Sequence, residues 1–258
     1  MIKQLKFSLL KLFIRRAAAN DIVPFNEIIV WEPWEGCTPV SEACENCYYS
    51  YRPNTSLVKT KDFGRVALPK GKTVITGFMS DWFHPEADNW RMEMWQVVKN
   101  NPGATFLLLT KRIDRFFVRL PEDWGAKGYP NVILGVTVEN QAQADKRLPR
   151  LINSPVALRF ISCSPLLERI DIKDYLKNIQ YVSVAGEAAK NGRILDFDWV
   201  LDVNRQCVEA NTEMFFKDTG SLVKIDGKVV RVTPLLQRRL ARKLSGRFFS
   251  NEKAQHGN

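Results

Sequence analysis

The sequence predicts an α/β fold whose parallel strands close wholly or partly into a (β/α) barrel. Three observations lead there. Short apolar runs recur along the 258 residues, and helical segments fall between most of them, the rhythm of βαβ units. The runs are bounded by turn signals and read as strands buried in a parallel sheet. Polar side chains follow directly after run upon run, where barrels of this architecture build their sites.

The strands are expected at 27–31, 73–79, 104–109, 131–138, 157–162, 181–185 and 213–216. Helices are expected at 89–99, where Trp90, Met94, Val97 and Val98 share one face, and at 112–120, 141–151 and 197–210. Trp31, Glu32 and Cys37 follow the first run, and Ser80 and Asp81 the second. Thr110, Lys111 and Arg112 follow the third, Glu139 and Asn140 the fourth, and Ser162, Cys163 and Ser164 the fifth. Glu187 follows the sixth, and Lys217 and Asp218 the seventh. Any strand end meets water and tends to be polar. The repetition of acids, hydroxyls and bases at that one point favours a functional rim.

The formal charge of +10 favours polyanionic partners, since lysines and arginines that neutralise phosphates release counterions. Much of the excess lies at the two ends, in Lys3, Lys6, Lys11, Arg15 and Arg16 and in Arg238, Arg239, Arg242, Lys243 and Arg247. Solvated helix faces are the plain alternative. Leu5, Leu9, Leu12 and Phe13 recur at helical spacing, so 1–20 reads as a basic amphipathic helix. Lys11 and the Arg15–Arg16 pair make it a poor secretory signal. A transit peptide, a membrane-surface or partner-docking helix, and a helix packed on the domain are the other readings, the last preferred. The expected organisation is thus the 1–20 helix, one domain over 21–220, and a basic C-terminal extension over 221–258. No apolar run is long enough to span a bilayer, and no repeat or low-complexity linker is present.

Of five cysteines, Cys37, Cys44 and Cys47 fall close together. An odd, sparse, clustered set argues against a secreted disulfide framework and for metal binding in the reducing cytoplasm. The close pair suits adjacent corners of one metal centre, and the longer loop brings Cys37 from the side, with Gly36 allowing a tight backbone approach. A structural zinc site wants four ligands, whereas a 4Fe–4S cluster held by three thiolates keeps one iron open. Cluster, zinc and unliganded core thiols all stay open on this chemistry.

The blocks Trp34-Glu-Gly-Cys-Thr-Pro-Val-Ser, Cys44-Glu-Asn-Cys-Tyr, Met79-Ser-Asp-Trp-Phe-His, Leu109-Thr-Lys-Arg, Leu134-Gly-Val-Thr-Val-Glu-Asn-Gln, Arg159-Phe-Ile-Ser-Cys and Pro165-Leu-Leu occur in order. Arg205-Gln-Cys and Phe215-Phe-Lys follow. Over about 28–220 the chain thereby resembles a phage-associated three-cysteine-motif family of uncharacterised proteins, regarded as divergent relatives of the radical S-adenosylmethionine enzymes. It departs in Ser164, where the family commonly has Glu, and in Ala185-Gly-Glu-Ala-Ala, where it has Gly-Gly-Glu-Ser-Gly. Altered substrate choice or a weakened site would follow.

The resemblance implies a barrel of the radical-S-adenosylmethionine type with a 4Fe–4S cluster on Cys37, Cys44 and Cys47. It implies S-adenosylmethionine across the strand ends, cleaved reductively to a deoxyadenosyl radical that abstracts hydrogen from a substrate. Ser80 and Asp81 would take the amino group of the methionine moiety. Glu139 and Asn140 would hold the ribose hydroxyls. Lys111, Arg112 and Lys217 would take the cofactor carboxylate or a substrate phosphate. Ser162 and Glu187 complete the cofactor-binding set. Against this stand plainer roles: Asp81 capping a turn, Glu139 paired with a base, His84 a satisfied loop residue, and Cys163 and Cys207 packing thiols. Trp31, Trp34, Trp82 and Phe83 are either core or a shield against water. The basic balance points to a nucleic acid or nucleotide substrate. The alternatives are a nucleic-acid-binding protein with a structural metal site and a subunit that works only with a partner protein. An electron donor, unnamed by the sequence, is also implied.

Overall fold

The computed structural model of the chain describes residues 28–47, 56–64 and 70–248. The expected 1–20 helix, the start of the first strand, and the end of the C-terminal extension lie outside the described residues. In chain order the regular elements are β1 (Ile28–Val30), β2 (Trp34–Glu35), β3 (Val58–Lys59), β4 (Thr73–Thr76), α1 (Asp88–Asn100), β5 (Thr105–Thr110), β6 (Val132–Thr137), α2 (Gln141–Asn153), β7 (Leu158–Cys163), α3 (Lys173–Leu176), β8 (Tyr181–Ala185), β9 (Leu195–Asp196), α4 (Phe197–Glu209), β10 (Glu213–Asp218), β11 (Leu222–Ile225), β12 (Lys228–Arg231) and α5 (Pro234–Ser245). The fold is α/β, and its main sheet has seven strands in the order β1-β4-β5-β6-β7-β8-β10. The pairs β1–β4, β4–β5, β5–β6, β7–β8 and β8–β10 are all parallel. No helix among the described residues is long and apolar enough to cross a membrane.

The chain divides into two compact units that interleave in sequence. Of the described residues, one comprises 28–42, 56–64, 70–136 and 150–159, and the other 43–47, 137–149 and 160–248.

In the first unit β1, β4, β5 and β6 lie side by side. Every residue of β4 and of β6 is buried, which is why these runs do not alternate apolar with charged residues and carry threonine as their only polar type. Helix α1 buries Arg91, Met94, Trp95 and Val98, one stripe at helical spacing. Arg91 is wholly buried because its guanidinium is spent on backbone, donating to Trp82 O, Val118 O and His84 O as well as to Asp88. Trp31, Trp34, Trp82 and Phe83 are core residues, at most 2% exposed. Trp82 lies 5.4 Å from Trp34 and 5.2 Å from Trp95 between ring centroids.

Two expectations are corrected here. The helix expected over 112–120 is only a 3-10 turn, Ile113–Arg115. Arg91 takes the Val118 carbonyl at 2.7 Å, Arg119 adopts a left-handed φ of 57°, and Pro121 follows, so a helix has no way to continue. The strand expected to reach 79 ends at Thr76. Gly77 turns the chain at φ 75°, and the next amides are drawn onto the Glu32 carboxylate.

In the second unit β8 pairs in parallel with β10 and with the 160–163 part of β7. The β8–β10 register shifts between Phe216 and Asp218, so Lys217 is the extra residue of a bulge. Beyond β10 the chain adds β11 and β12, which complete a small sheet with β9 in the order β12-β11-β9, and then α5, which packs against β10 and buries Gln237, Ala241 and Leu244. Residues 222–248 therefore fold onto this unit.

Candidate functional site

Cys37, Cys44 and Cys47 are half-buried, and no cysteine is in a disulfide. Cys163 and Cys207 are at most 1% exposed. Burial pushes the Cys163 thiol far up and the Cys207 thiol up to about 12, as inert packing thiols require.

In the first unit Cys37 faces a guanidinium. Arg112 Nη1 lies 3.6 Å from Cys37 Sγ, and Arg112 Nη2 donates to Thr38 O at 2.7 Å and to Thr38 Oγ1 at 2.8 Å. Arg112 is held in turn by Asp81, at 3.3 Å. Burial and the Asp81 charge raise the Cys37 thiol, while Arg112 and Lys111 pull the other way. Thr38 Oγ1 also meets His84 Nε2 at 2.9 Å. His84 Nδ1 accepts the Glu86 N–H at 3.3 Å, which assigns the ring proton to Nε2. Burial, then the Arg112 charge, hold this imidazole below its ordinary value. His84 is thus a satisfied, buried residue, 2% exposed.

Asp81 itself is fully engaged. Its Oδ1 accepts from Phe83 N and Thr110 Oγ1, and its Oδ2 from Lys111 N and Arg112. It caps the following turn and aims Arg112. The Ser80 hydroxyl donates to Glu32 Oε2 at 3.0 Å, joining the amides of Gly77, Phe78 and Met79 on that carboxylate. Burial pushes the Glu32 carboxyl up to about 7 against these four donors. Glu32 pins the loop that carries Ser80 and Asp81.

In the second unit Cys44 ends a short 3-10 helix, and Cys47 N donates to Cys44 O at 3.2 Å, closing a turn. Asn46, inside that turn, donates from Nδ2 to Glu187 Oε2 at 2.9 Å. Glu187 also accepts from Arg193 N, Nε and Nη2, the last at 2.6 Å to Oε1. Arg193 reaches Glu45 as well, at 3.5 Å. Burial alone would raise the Glu187 carboxyl, but the bonds from Arg193 and Asn46 reverse this and hold it below its ordinary value.

Glu139 is wholly buried, with Oε2 2.7 Å from Arg147 Nη1 and Oε1 without a partner among the described residues. Asn140 caps α2, its Oδ1 accepting Gln143 N at 2.9 Å. Ser162 is buried on β7, its carbonyl taking Val138 N, while Lys217 is half-buried at the β10 bulge. The sequence reading missed Arg147, Asn46 and the anchoring role of Glu32. Asn46 was visible between two motif thiols. Arg147, eight residues on, is the base that the plainer reading of Glu139 called for, though the sequence did not single it out.

Among the described residues no group of three or more His, Cys, Asp or Glu side chains is gathered to hold a metal ion. The donor chemistry fits a thiolate-bound centre all the same. The motif thiols are half-buried and outside any disulfide, and one of them has a cation beside it. Thiolate sites commonly close only around their metal.

No curated protein and no solved structure matches this chain. A family model described as "Protein of unknown function (DUF5131)" matches residues 57–255, beginning after the three clustered cysteines. That span is well over half of the sequence, and the chain belongs to this family.

Proposed function

We propose that the chain is an iron–sulfur enzyme of the radical S-adenosylmethionine type. Cys37, Cys44 and Cys47 hold a 4Fe–4S cluster on a partial (β/α) barrel, and a nucleic acid or nucleotide is the substrate class. The observation that carries this reading is the sorting of the cysteines. The three motif thiols are half-buried, and the two outside the motif are sealed in the core. Three thiolates are one donor short of a closed zinc site. Free thiols suit a reducing compartment, the cytoplasm.

Such a cluster, when bound, supplies an open iron for the amino-acid end of S-adenosylmethionine and an electron for cleaving its sulfonium. The chain's own residues provide orientation. Arg112 fixes the Cys37 loop through Thr38. Glu139 Oε1, with no partner among the described residues, has acceptor capacity that a ribose hydroxyl reaches once the site opens around this buried side chain. The polyanion part rests on α5, whose outward face begins with Leu235 and Leu236 and continues as Arg239, Arg242 and Lys243, all exposed, with no acid in the helix. Like charges at this spacing repel along a helix, and a row of phosphates relieves that repulsion.

The test is anaerobic purification of the whole chain, with metal analysis and incubation with S-adenosylmethionine and a reductant. About four iron and four sulfide per chain are expected, with 5′-deoxyadenosine as product. Stoichiometric zinc with no sulfide would overturn the reading in favour of a polyanion-binding protein with a structural metal.

A further inference from the structure

We infer that Glu187 and Arg193 are positioning residues for the turn that carries Cys44 and Cys47. The inference rests on reading those thiols as ligands, and it concerns what holds them in place.

The turn has little core of its own. Cys44, Asn46 and Cys47 are half-buried, Glu45 is exposed, and only Ala43 is buried. Two side-chain ties from it meet at one place, Asn46 to Glu187 at 2.9 Å and Glu45 to Arg193 at 3.5 Å.

That place is rigid. A Cβ on Gly186 would sit 2.2 Å from Thr219 O, and one on Gly192 would sit 2.3 Å from Glu187 O. Gly220, at φ 68°, would press on Glu187 N at 2.5 Å. Gly186 N donates to Asp218 O, and Ser221 N to Glu187 O at 2.9 Å. Backbone packed this closely leaves the Glu187 side chain a fixed origin.

The carboxylate is also heavily engaged. Asn46 Nδ2, Arg193 N and Arg193 Nε converge on Oε2, and Arg193 Nη2 donates to Oε1. Beside the cofactor-binding role expected of Glu187 stands an indirect one, in which the acid locks the residue between two thiols and Arg193 locks the acid. Supporting contacts of this kind typically change metal affinity 10- to 100-fold when removed.

The experiment compares wild type, Asn46→Ala, Glu187→Ala and Arg193→Lys as full chains without oxygen. With metal removed, iodoacetamide labelling of Cys37, Cys44 and Cys47 is followed separately by mass spectrometry. Asn46→Ala and Glu187→Ala should speed labelling of Cys44 and Cys47 roughly tenfold, with Cys37 unchanged, because local opening becomes easier. Arg193→Lys, which keeps the charge, should fall between. Asn46→Ala leaves the Glu187–Arg193 pair and every local charge intact, so neither misfolding nor a shifted thiol charge explains its effect. Wild-type labelling rates in Asn46→Ala and Glu187→Ala, or an equal rise at Cys37, would overturn the inference. In reconstituted protein the same variants should lose the visible absorption of the cluster faster than wild type. A wild type that takes up no iron removes the metal reading, and the labelling result still decides the positioning role.

Discussion

Removing Arg147 should damage the fold more than removing it together with its partner. Glu139 and Arg147 are 0% and 2% exposed in their side chains and meet at 2.7 Å. Arg147 Nη1 also donates to Thr137 O at 2.8 Å, and Glu139 Oε1 already has no partner. Arg147→Met keeps most of the volume and strips the carboxylate of its cation. Breaking one side of a buried pair costs about 3–5 kcal/mol, because the remaining charge is buried without compensation. A domain of ordinary stability has roughly 5–15 kcal/mol in all. At about 2–4 °C per kcal/mol for a chain of this size, the melting temperature should fall by roughly 6–20 °C. Glu139→Leu with Arg147→Met replaces both charges by apolar groups and should cost no more than about 1 kcal/mol. Urea unfolding followed by tryptophan fluorescence measures all three, with equal slopes as the check on two-state behaviour. If Arg147→Met stays within about 1 kcal/mol of wild type, or the double variant costs as much as the single one, the pair is not the anchor described here.

Three further outcomes are expected. The Glu32 carboxyl, raised by burial to about 7 from an ordinary 4.5, binds its proton more tightly folded than unfolded. Its contribution to stability is therefore full below pH 4.5 and is lost as pH rises through about 7, a change on the order of 3 kcal/mol. Urea midpoints from pH 4.5 to 8 should show this decline in wild type and a flatter curve in Glu32→Gln. Replacing Arg239, Arg242 and Lys243 of α5 together by Ser should weaken binding of a labelled oligonucleotide and lower its salt slope by up to about 3. The buried stripe Gln237, Ala241 and Leu244 is untouched, so unchanged urea stability with unchanged binding would sink the polyanion surface. Asn140→Ala should cost about 1 kcal/mol by removing the cap of α2, which urea unfolding resolves.

The sequence revealed the strands of the main sheet because these strands are buried on both faces, leaving unbroken apolar runs such as Val132–Thr137. Helices α1, α2 and α4 were visible in their stripes, and 181–185 was placed without error. Two failures had one cause, a side chain from elsewhere capturing backbone. Arg91 takes the Val118 carbonyl, and Glu32 takes the amides of Gly77, Phe78 and Met79. Neither event has a local sequence signal. The short strands β2, β3 and β9 are pairs of residues that only their partners define. At the site the thiol motif was legible from spacing alone. Which acids serve the fold and which keep acceptor capacity was not, because that depends on how many donors reach each carboxylate.

Counting those donors divides the rim acids. Glu32 accepts from Gly77 N, Phe78 N, Met79 N and Ser80 Oγ. Asp81 accepts from Phe83 N, Thr110 Oγ1, Lys111 N and Arg112. Glu187 accepts from Arg193 and Asn46. Glu32 and Asp81 take two donors on each oxygen, the capacity of a carboxylate, so each acts on a ligand through what it holds, a loop or a guanidinium. Glu187 takes three donors on Oε2 and one on Oε1 while holding the thiol turn. Glu139 alone of the four keeps an oxygen with no partner among the described residues. An orphan buried acceptor costs about 1–3 kcal/mol, which a bound hydroxyl or water recovers. If S-adenosylmethionine binds, Glu139→Gln should therefore reduce its affinity with little change in cluster content. Asp81→Asn should act the other way, loosening Arg112 and the Cys37 loop. Equilibrium binding of the cofactor and iron content, measured on the same two samples, separate the effects. An unaltered affinity in Glu139→Gln would show that the spare oxygen is served by water.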